Sequence, residues 1–247
     1  MRRSEPIFNV PLPVVILVAL CVGVHVLRQT MSLSENVWWT QALAFVPARY
    51  GEDGTDIPGG ALARVTSVVT HLFVHGDVMH LGVNSAWLLA FGTPVARRTG
   101  ALRFIVLFFL CGAAGAALYV ALNGFVPTLL IGASGAISGL MGAAFRFLFS
   151  SLEAGPAAFA DATRYLPLAS LGETLRDRRV VGSVAVWAVF NVLLALGAAG
   201  LTDAGGIAWE AHLGGFALGF LVYGFFDRPP PAPLFEDIPQ WEDDARA

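Results

Sequence analysis

Six segments of this chain are long and apolar enough to cross a lipid bilayer, and nothing else in the sequence limits its fold as strongly. A spanning helix needs about 20 predominantly apolar residues. The candidates run Val10–Leu27, Leu72–Phe91, Leu102–Leu122, Leu129–Phe149, Val180–Ala199 and Ala208–Phe226. The chain is 56% hydrophobic and 13% charged, with a mean hydropathy of +0.67, outside the usual balance of soluble domains. The expected fold is an all-α, polytopic six-helix membrane bundle over residues 10–226. Residues 1–9 form a short N-terminus before it, and residues 227–247 a tail expected to be disordered, with Pro229-Pro230-Pro231 and the acidic run Glu242-Asp243-Asp244.

Arginine placement sets the direction of the spans by the positive-inside rule. All 15 basic residues are arginines, and only Arg28, Arg49 and Arg64 fall on the side opposite the N-terminus. Both termini are therefore expected in the cytoplasm, with the protein in the cell membrane. The first span follows Arg2-Arg3 without a small-residue cleavage site after it and reads as a retained anchor. Residues 28–66 form a long outer loop whose Trp38-Trp39 and Phe45 suggest an interfacial element. Residues 150–179 form a cytoplasmic loop. The net charge of −3 and the lack of a basic patch exclude a nucleic-acid partner. Cys21 and Cys111 lie in apolar segments and read as packed hydrophobes, not a disulfide framework.

Polar residues at membrane depth are costly and are functional candidates by default. The stretch Gly132-Ala133-Ser134-Gly135 opens the fourth span with a serine, and no charge follows before Arg146. Spans two, four and six all run from outside to inside. At 1.5 Å per residue, His80, Ser134 and His212 each sit roughly 21–24 Å above the cytoplasmic end of their span. Three polar groups on three helices thus share one depth. A serine hydroxyl becomes a nucleophile when a base takes its proton, and histidine is the usual base near neutral pH. Acyl transfer also needs donors for the developing oxyanion. The first turn of a helix beginning at Ser134 supplies free N–H groups, and His80 and Asn84, spaced i, i+4, share a helix face and can both donate. Gly215 and Gly219 after His212, with Gly135, Gly139 and Gly142 after Ser134, would let spans four and six approach closely.

Gly132-Ala133-Ser134-Gly135, Ala211-His212 followed by Gly215 and Gly219, and His75-x4-His80-x3-Asn84 together resemble the rhomboid family of intramembrane serine proteases. The resemblance covers the six-helix core from about Val65 to Phe226. It implies a rhomboid-like bundle in which a Ser–His dyad cleaves the transmembrane segments of substrate proteins near the outer face. In that pattern Ser134 is the nucleophile, His212 the general base, His80 and Asn84 the oxyanion residues, and His75 a mainly structural histidine. Gly132, Gly135, Gly215 and Gly219 support the site. The partners implied are transmembrane protein substrates and the bilayer itself. The chain departs from the pattern twice. Thr66-Ser67 stand where many bacterial members carry a loop-anchoring Trp-Arg pair. Ser138 stands where some members stack an aromatic ring on the catalytic histidine.

No cofactor and no metal are expected. His71 and His75 have a spacing that could ligate a metal, but no H-E-x-x-H motif accompanies them, and structural hydrogen bonding is the expected role. Glu210 sits two residues from His212, hence about 200° around the helix, and cannot orient its ring. Asp203 lies in a short outer loop, so a dyad without a third member is expected. His25 is expected near the outer interface. Two other functions fit a polar cluster inside a helical bundle. One is a proteolytically inactive rhomboid-like protein that binds membrane helices, and the other, which lacks support from an internal repeat, is a small-molecule transporter. Labelling by a fluorophosphonate, which requires an activated serine, separates the enzyme from both.

Overall fold

The computed structural model describes residues 10–51, 56–153, 166–201 and 208–228, and these are all-helical apart from connecting turns. The long helices are α1 (Leu12–Gln29), α6 (Ala101–Asn123), α10 (Arg178–Leu201) and α11 (Trp209–Phe226). Between them lie α2 (Leu33–Leu43), α3 (Gly60–Thr70), α4 (Val78–Trp87), α5 (Thr93–Thr99), α7 (Ser134–Phe145), α8 (Leu148–Glu153) and α9 (Leu171–Arg176). By length and composition α1 and α6 can each cross a membrane. Large apolar side chains face outward over much of the surface, among them Leu102, Val186 and Phe225, as lipid contact requires.

The bundle is organised around α7. Every residue from Gly135 to Phe145 is buried, with α6 and α11 as its closest neighbours. Small residues make this possible, because helices without a hydrophobic driving force between them associate through close backbone packing. A side-chain carbon on Gly215 would collide with the Gly135 carbonyl oxygen, and one on Gly219 with that of Gly139. Cys111 of α6 occupies the space beside Gly139; both cysteines are free and buried.

Two of the expected spans differ from continuous helices. The fourth begins as an extended segment and becomes helical only at Ser134, because Phe45 and Leu130 pair through both backbone bonds (3.1 and 2.9 Å). Helix α7 is therefore 12 residues long, roughly 18 Å, and starts inside the bundle. Irregular backbone at such depth is tolerated where protein covers it. The second expected span starts six residues late. Asp77 caps α4 by accepting the His80 N–H at 2.8 Å, and His75 lies in the turn before it. Past Trp87 the helix widens into a π-turn, Leu88–Gly92, and continues as α5 to Thr99. Pro94 lacks the N–H that would bond the Ala90 carbonyl, and the wider turn absorbs that loss.

The expected outer loop is mostly helical. Ser32 and Glu35 form a capping box at the start of α2, and Trp38 and Trp39 stay half exposed with their rings edge to face. Arg28 holds this element to the bundle by donating to Asn36 Oδ1, Thr40 Oγ1 and the His75 carbonyl, at 3.0, 2.7 and 2.9 Å. Arg49 is fully buried and donates to the carbonyls of Ala44, Gln41 and Pro58. His25, expected near the outer end of the first span, lies in the last turns of α1 and is buried beside Gln29. At the other end of the molecule Arg98 and Asp227 form a buried bidentate pair at 2.7 Å, so the first residue of the expected tail is tied to α5. The rest of that tail from 229, residues 1–9 and residues 154–165 of the cytoplasmic loop lie outside the described residues.

Candidate active site

The backbone turn at Gly132 creates the site. Its φ of +104° lies in the left-handed region open to glycine, and a side-chain carbon there would come within 2.6 Å of His80 Nε2. The Gly132 N–H donates to the His71 carbonyl at 2.9 Å, which anchors the turn. Two residues later α7 starts without a side-chain cap. The N–H groups of its first turn therefore face the space around Ser134 with the positive end of the helix dipole behind them.

Helix α11 brings His212 to the same point. His212 Nε2 lies 2.8 Å from Ser134 Oγ, a hydrogen bond between residues 78 apart in sequence. The backbone contacts at Gly215 and Gly219 lie one and two turns further along the same face of α11. The helix crossing therefore sets the distance between the two side chains.

His80 and Asn84 approach from α4. His80 Nδ1 accepts the Gly76 N–H at 3.5 Å, which leaves Nε2–H as a donor over Gly132. Asn84 is buried and donates from Nδ2 to the His80 carbonyl at 2.9 Å, with its second amide hydrogen uncommitted by that bond. His75 is fully buried, its ring packed edge-on to that of His80 at 5.1 Å between centroids. His71 donates from Nδ1 to the Ser67 carbonyl at 2.8 Å. Among the described residues no three His, Cys, Asp or Glu side chains converge as a metal site would need. A cavity of about 30 Å³, lined in part by Ser134, His71, Gly112 and Ala211, is large enough to admit water. A larger open hollow on α2, around Leu33, Val37 and Trp38, shares no residue with it.

One residue at this site escaped the sequence reading. Asn191 of α10 is buried, and its Oδ1 lies 2.6 Å from His212 Nδ1. The expectation of a histidine without a further partner is thus amended. Of the two acids weighed for that place, Glu210 instead accepts from Asn123 Nδ2 at 3.2 Å, and Asp203 lies outside the described residues. The signal for Asn191 is the one that marks Ser134: an uncharged polar group in the middle of an apolar segment. Its neighbours one turn away reinforce the contact, since Trp187 stacks on Phe216 with ring centroids 4.2 Å apart.

A family model of the Rhomboid domain matches residues 62–229, well over half of the chain. This chain belongs to the rhomboid family. Over 153 residues it is also 29% identical to RHOMBOID-like protein 4 of Arabidopsis thaliana, a stretch covering 61% of this chain and 31% of that protein. It therefore spans about a third of the length of that relative. Membership makes this rhomboid a membrane protein and accounts for its apolar exterior. The range matched by the family model contains Ser134, His212, His80 and Asn84. Of the two departures from the family pattern, Ser67 is buried, with its carbonyl on His71 and its hydroxyl 3.3 Å from Tyr50 Oη. Ser138 is buried within α7.

Proposed function

We propose that this rhomboid is an intramembrane serine endopeptidase that cleaves the transmembrane segments of membrane proteins. The observation that carries the reading is the 2.8 Å contact between Ser134 Oγ and His212 Nε2 inside a buried, apolar helix bundle. Structural packing alone gives no reason to place a hydroxyl and an imidazole together at that depth.

Ser134 attacks the scissile carbonyl while its proton passes to His212 Nε2, and the Oγ–C bond forms as the carbonyl oxygen becomes an oxyanion. The N–H groups of the first turn of α7, His80 Nε2–H and Asn84 Nδ2–H are the donors for that oxyanion. Collapse of the tetrahedral species breaks the C–N bond, and His212 Nε2–H protonates the leaving amine. Water then attacks the acyl-enzyme, His212 takes its proton, and the carboxylic acid leaves as Ser134 recovers its hydrogen. A peptide bond inside a helix is shielded by its own turn, so substrate segments that unwind readily are the better clients.

Six membrane crossings formed by α1, α4–α5, α6, α7–α8, α10 and α11 over residues 10–226 suit this chemistry, with both termini cytoplasmic in the cell membrane. Two of the three arginines that run against the positive-inside pattern, Arg28 and Arg49, are buried structural clasps, which supports that direction. The test is cleavage of a single-span reporter by the purified protein, together with fluorophosphonate labelling. Wild type should cleave and label, and Ser134→Ala should do neither. Equal cleavage by both proteins would overturn the protease reading, and folded wild type without labelling would favour a membrane-helix binding protein.

A further inference from the structure

We infer that Asn191 is the positioning residue of the catalytic histidine, so that helix α10 supplies a third member of the site. The inference rests on the protease reading above and deepens it. Asn191 Nδ2 donates to the Trp187 carbonyl at 2.8 Å. A carbonyl oxygen only accepts, so this bond fixes which end of the amide carries nitrogen. Oδ1 is thereby the atom 2.6 Å from His212 Nδ1. An amide oxygen also only accepts, hence Nδ1 carries the ring hydrogen. In a neutral imidazole the other nitrogen is then bare, and Nε2 is left to accept the Ser134 O–H. A single directed chain results, from Ser134 Oγ–H to His212, from His212 Nδ1–H to Asn191, and from Asn191 to Trp187.

The chemistry explains the residue type. A base that takes a proton at Nε2 needs an acceptor at Nδ1 to hold the tautomer and steady the imidazolium, a role that buried carboxylates fill in soluble triads. An ionised carboxylate at membrane depth is expensive, and an amide offers the same acceptor without charge. Position supports it as well. Trp187 and Asn191 lie one turn apart on α10, His212 and Phe216 one turn apart on α11. The Trp187–Phe216 stack therefore fixes the height at which the amide meets the ring. Where some family members rest an aromatic ring on this histidine, Ser138 stands here, and the support comes from α10.

The experiment uses the purified full chain with a single-span reporter. Asn191→Leu fills the site without an acceptor and should lower kcat roughly 10²-fold, the order of loss expected when a reacting group is misplaced by about 1 Å. KM should stay near the wild-type value, and the rate of fluorophosphonate labelling should fall in parallel. Nitrogen-15 NMR of histidine-labelled protein, with His212 assigned by its absence in His212→Ala, reads the tautomer directly. Wild type should carry the hydrogen on Nδ1, and Asn191→Leu should show a mixture that a merely structural role would not produce. The wild-type spectrum decides the matter even where the variant fails to fold. A hydrogen on Nε2 in the wild type, unchanged kcat in Asn191→Leu, or a loss confined to KM would each overturn the positioning role. Full activity in His212→Ala would instead remove His212 as the base, whereas full activity in Ser134→Ala would overturn the protease reading itself.

Discussion

Helices α7 and α10 are built in opposite ways, yet both reach the same histidine. Helix α7 is enclosed, with all residues from Gly135 to Phe145 buried and its backbone in direct contact with α11 through glycines. Helix α10 lies at the edge of the bundle, with Val186, Val189, Phe190 and Leu193 exposed. It meets α11 through Trp187–Phe216 and Asn191–His212. In the proposed mechanism the nucleophile thus stands on the most constrained helix, and the group that orients its base stands on one of the least enclosed. Precision in such a site comes from the supporting shell as well as from the reacting groups. Here that shell is divided between a rigid post and an edge helix.

The largest effects should come from the reacting pair itself. Ser134→Ala and His212→Ala should each abolish reporter cleavage while the protein stays folded in detergent. Because the two act as a unit, the double variant should be no worse than either single one. Additive losses, measured from residual rates, would show that His212 acts separately from Ser134. The comparison of the two helices would then lose its common target.

The next effect tests the enclosed side. Gly215→Val places a branched side chain against the Gly135 carbonyl, where no flexible neighbour can yield. Overpacking of this kind costs typically about 1–3 kcal/mol, and His212, one turn away, must move with the helix. Both the melting temperature and kcat should fall, kcat by on the order of 10²-fold. Wild-type values of both would mean that α7 and α11 are not locked backbone to backbone.

Much of this was legible in the sequence, and the exceptions have physical causes. Helices α1, α6 and α11 lie within about two residues of the segments that hydropathy marks, because a long apolar run at membrane depth has few alternatives to a helix. Ser134, His212, His80 and Asn84 stand out in the sequence because they are polar groups inside such runs. Helix α7 starts at Ser134, where the glycine–serine stretch suggests a helix opens, but hydropathy marks the fourth span from Leu129, since Leu129–Ile131 is as apolar as a helix. Only the pairing of Leu130 with Phe45, 85 residues away in the chain, keeps that stretch extended. The outer helices α2 and α3 were missed because their apolar content is too sparse for a span. Asn191 needed the tertiary structure: its own segment shows it to be unusual, but only the crossing of α10 and α11 supplies His212 as its partner.

A smaller effect tests the edge side. Trp187→Ala removes the ring stacked on Phe216 while leaving Asn191 and its acceptor intact. Such aromatic pairs contribute about 0.5–1.5 kcal/mol beyond the area they bury, and about 1.4 kcal/mol corresponds to tenfold. Fluorophosphonate labelling of Ser134 should slow by up to about tenfold, with only a slight fall in melting temperature. A loss as large as that of Gly215→Val, in both rate and stability, would show that α10 is as firmly packed as α7.

The smallest change gives the most direct comparison, because one methyl group can be added to each side. Gly219 of α11 faces the Gly139 backbone, and a side-chain carbon there would lie against that carbonyl, with Gly139 Cα at 2.8 Å. Gly182 of α10 has nothing within 4 Å of the same position. Gly219→Ala must therefore push two helices apart and should lower the melting temperature and the cleavage rate together. Gly182→Ala meets no obstacle and gains helix propensity, worth up to about 0.8–1.0 kcal/mol in a helix interior. It should leave cleavage unchanged and raise the melting temperature slightly. Identical chemistry with opposite signs is what an enclosed post and an open edge require. Equal destabilisation by the two substitutions, measured as shifts in thermal melting in the same detergent, would remove the distinction.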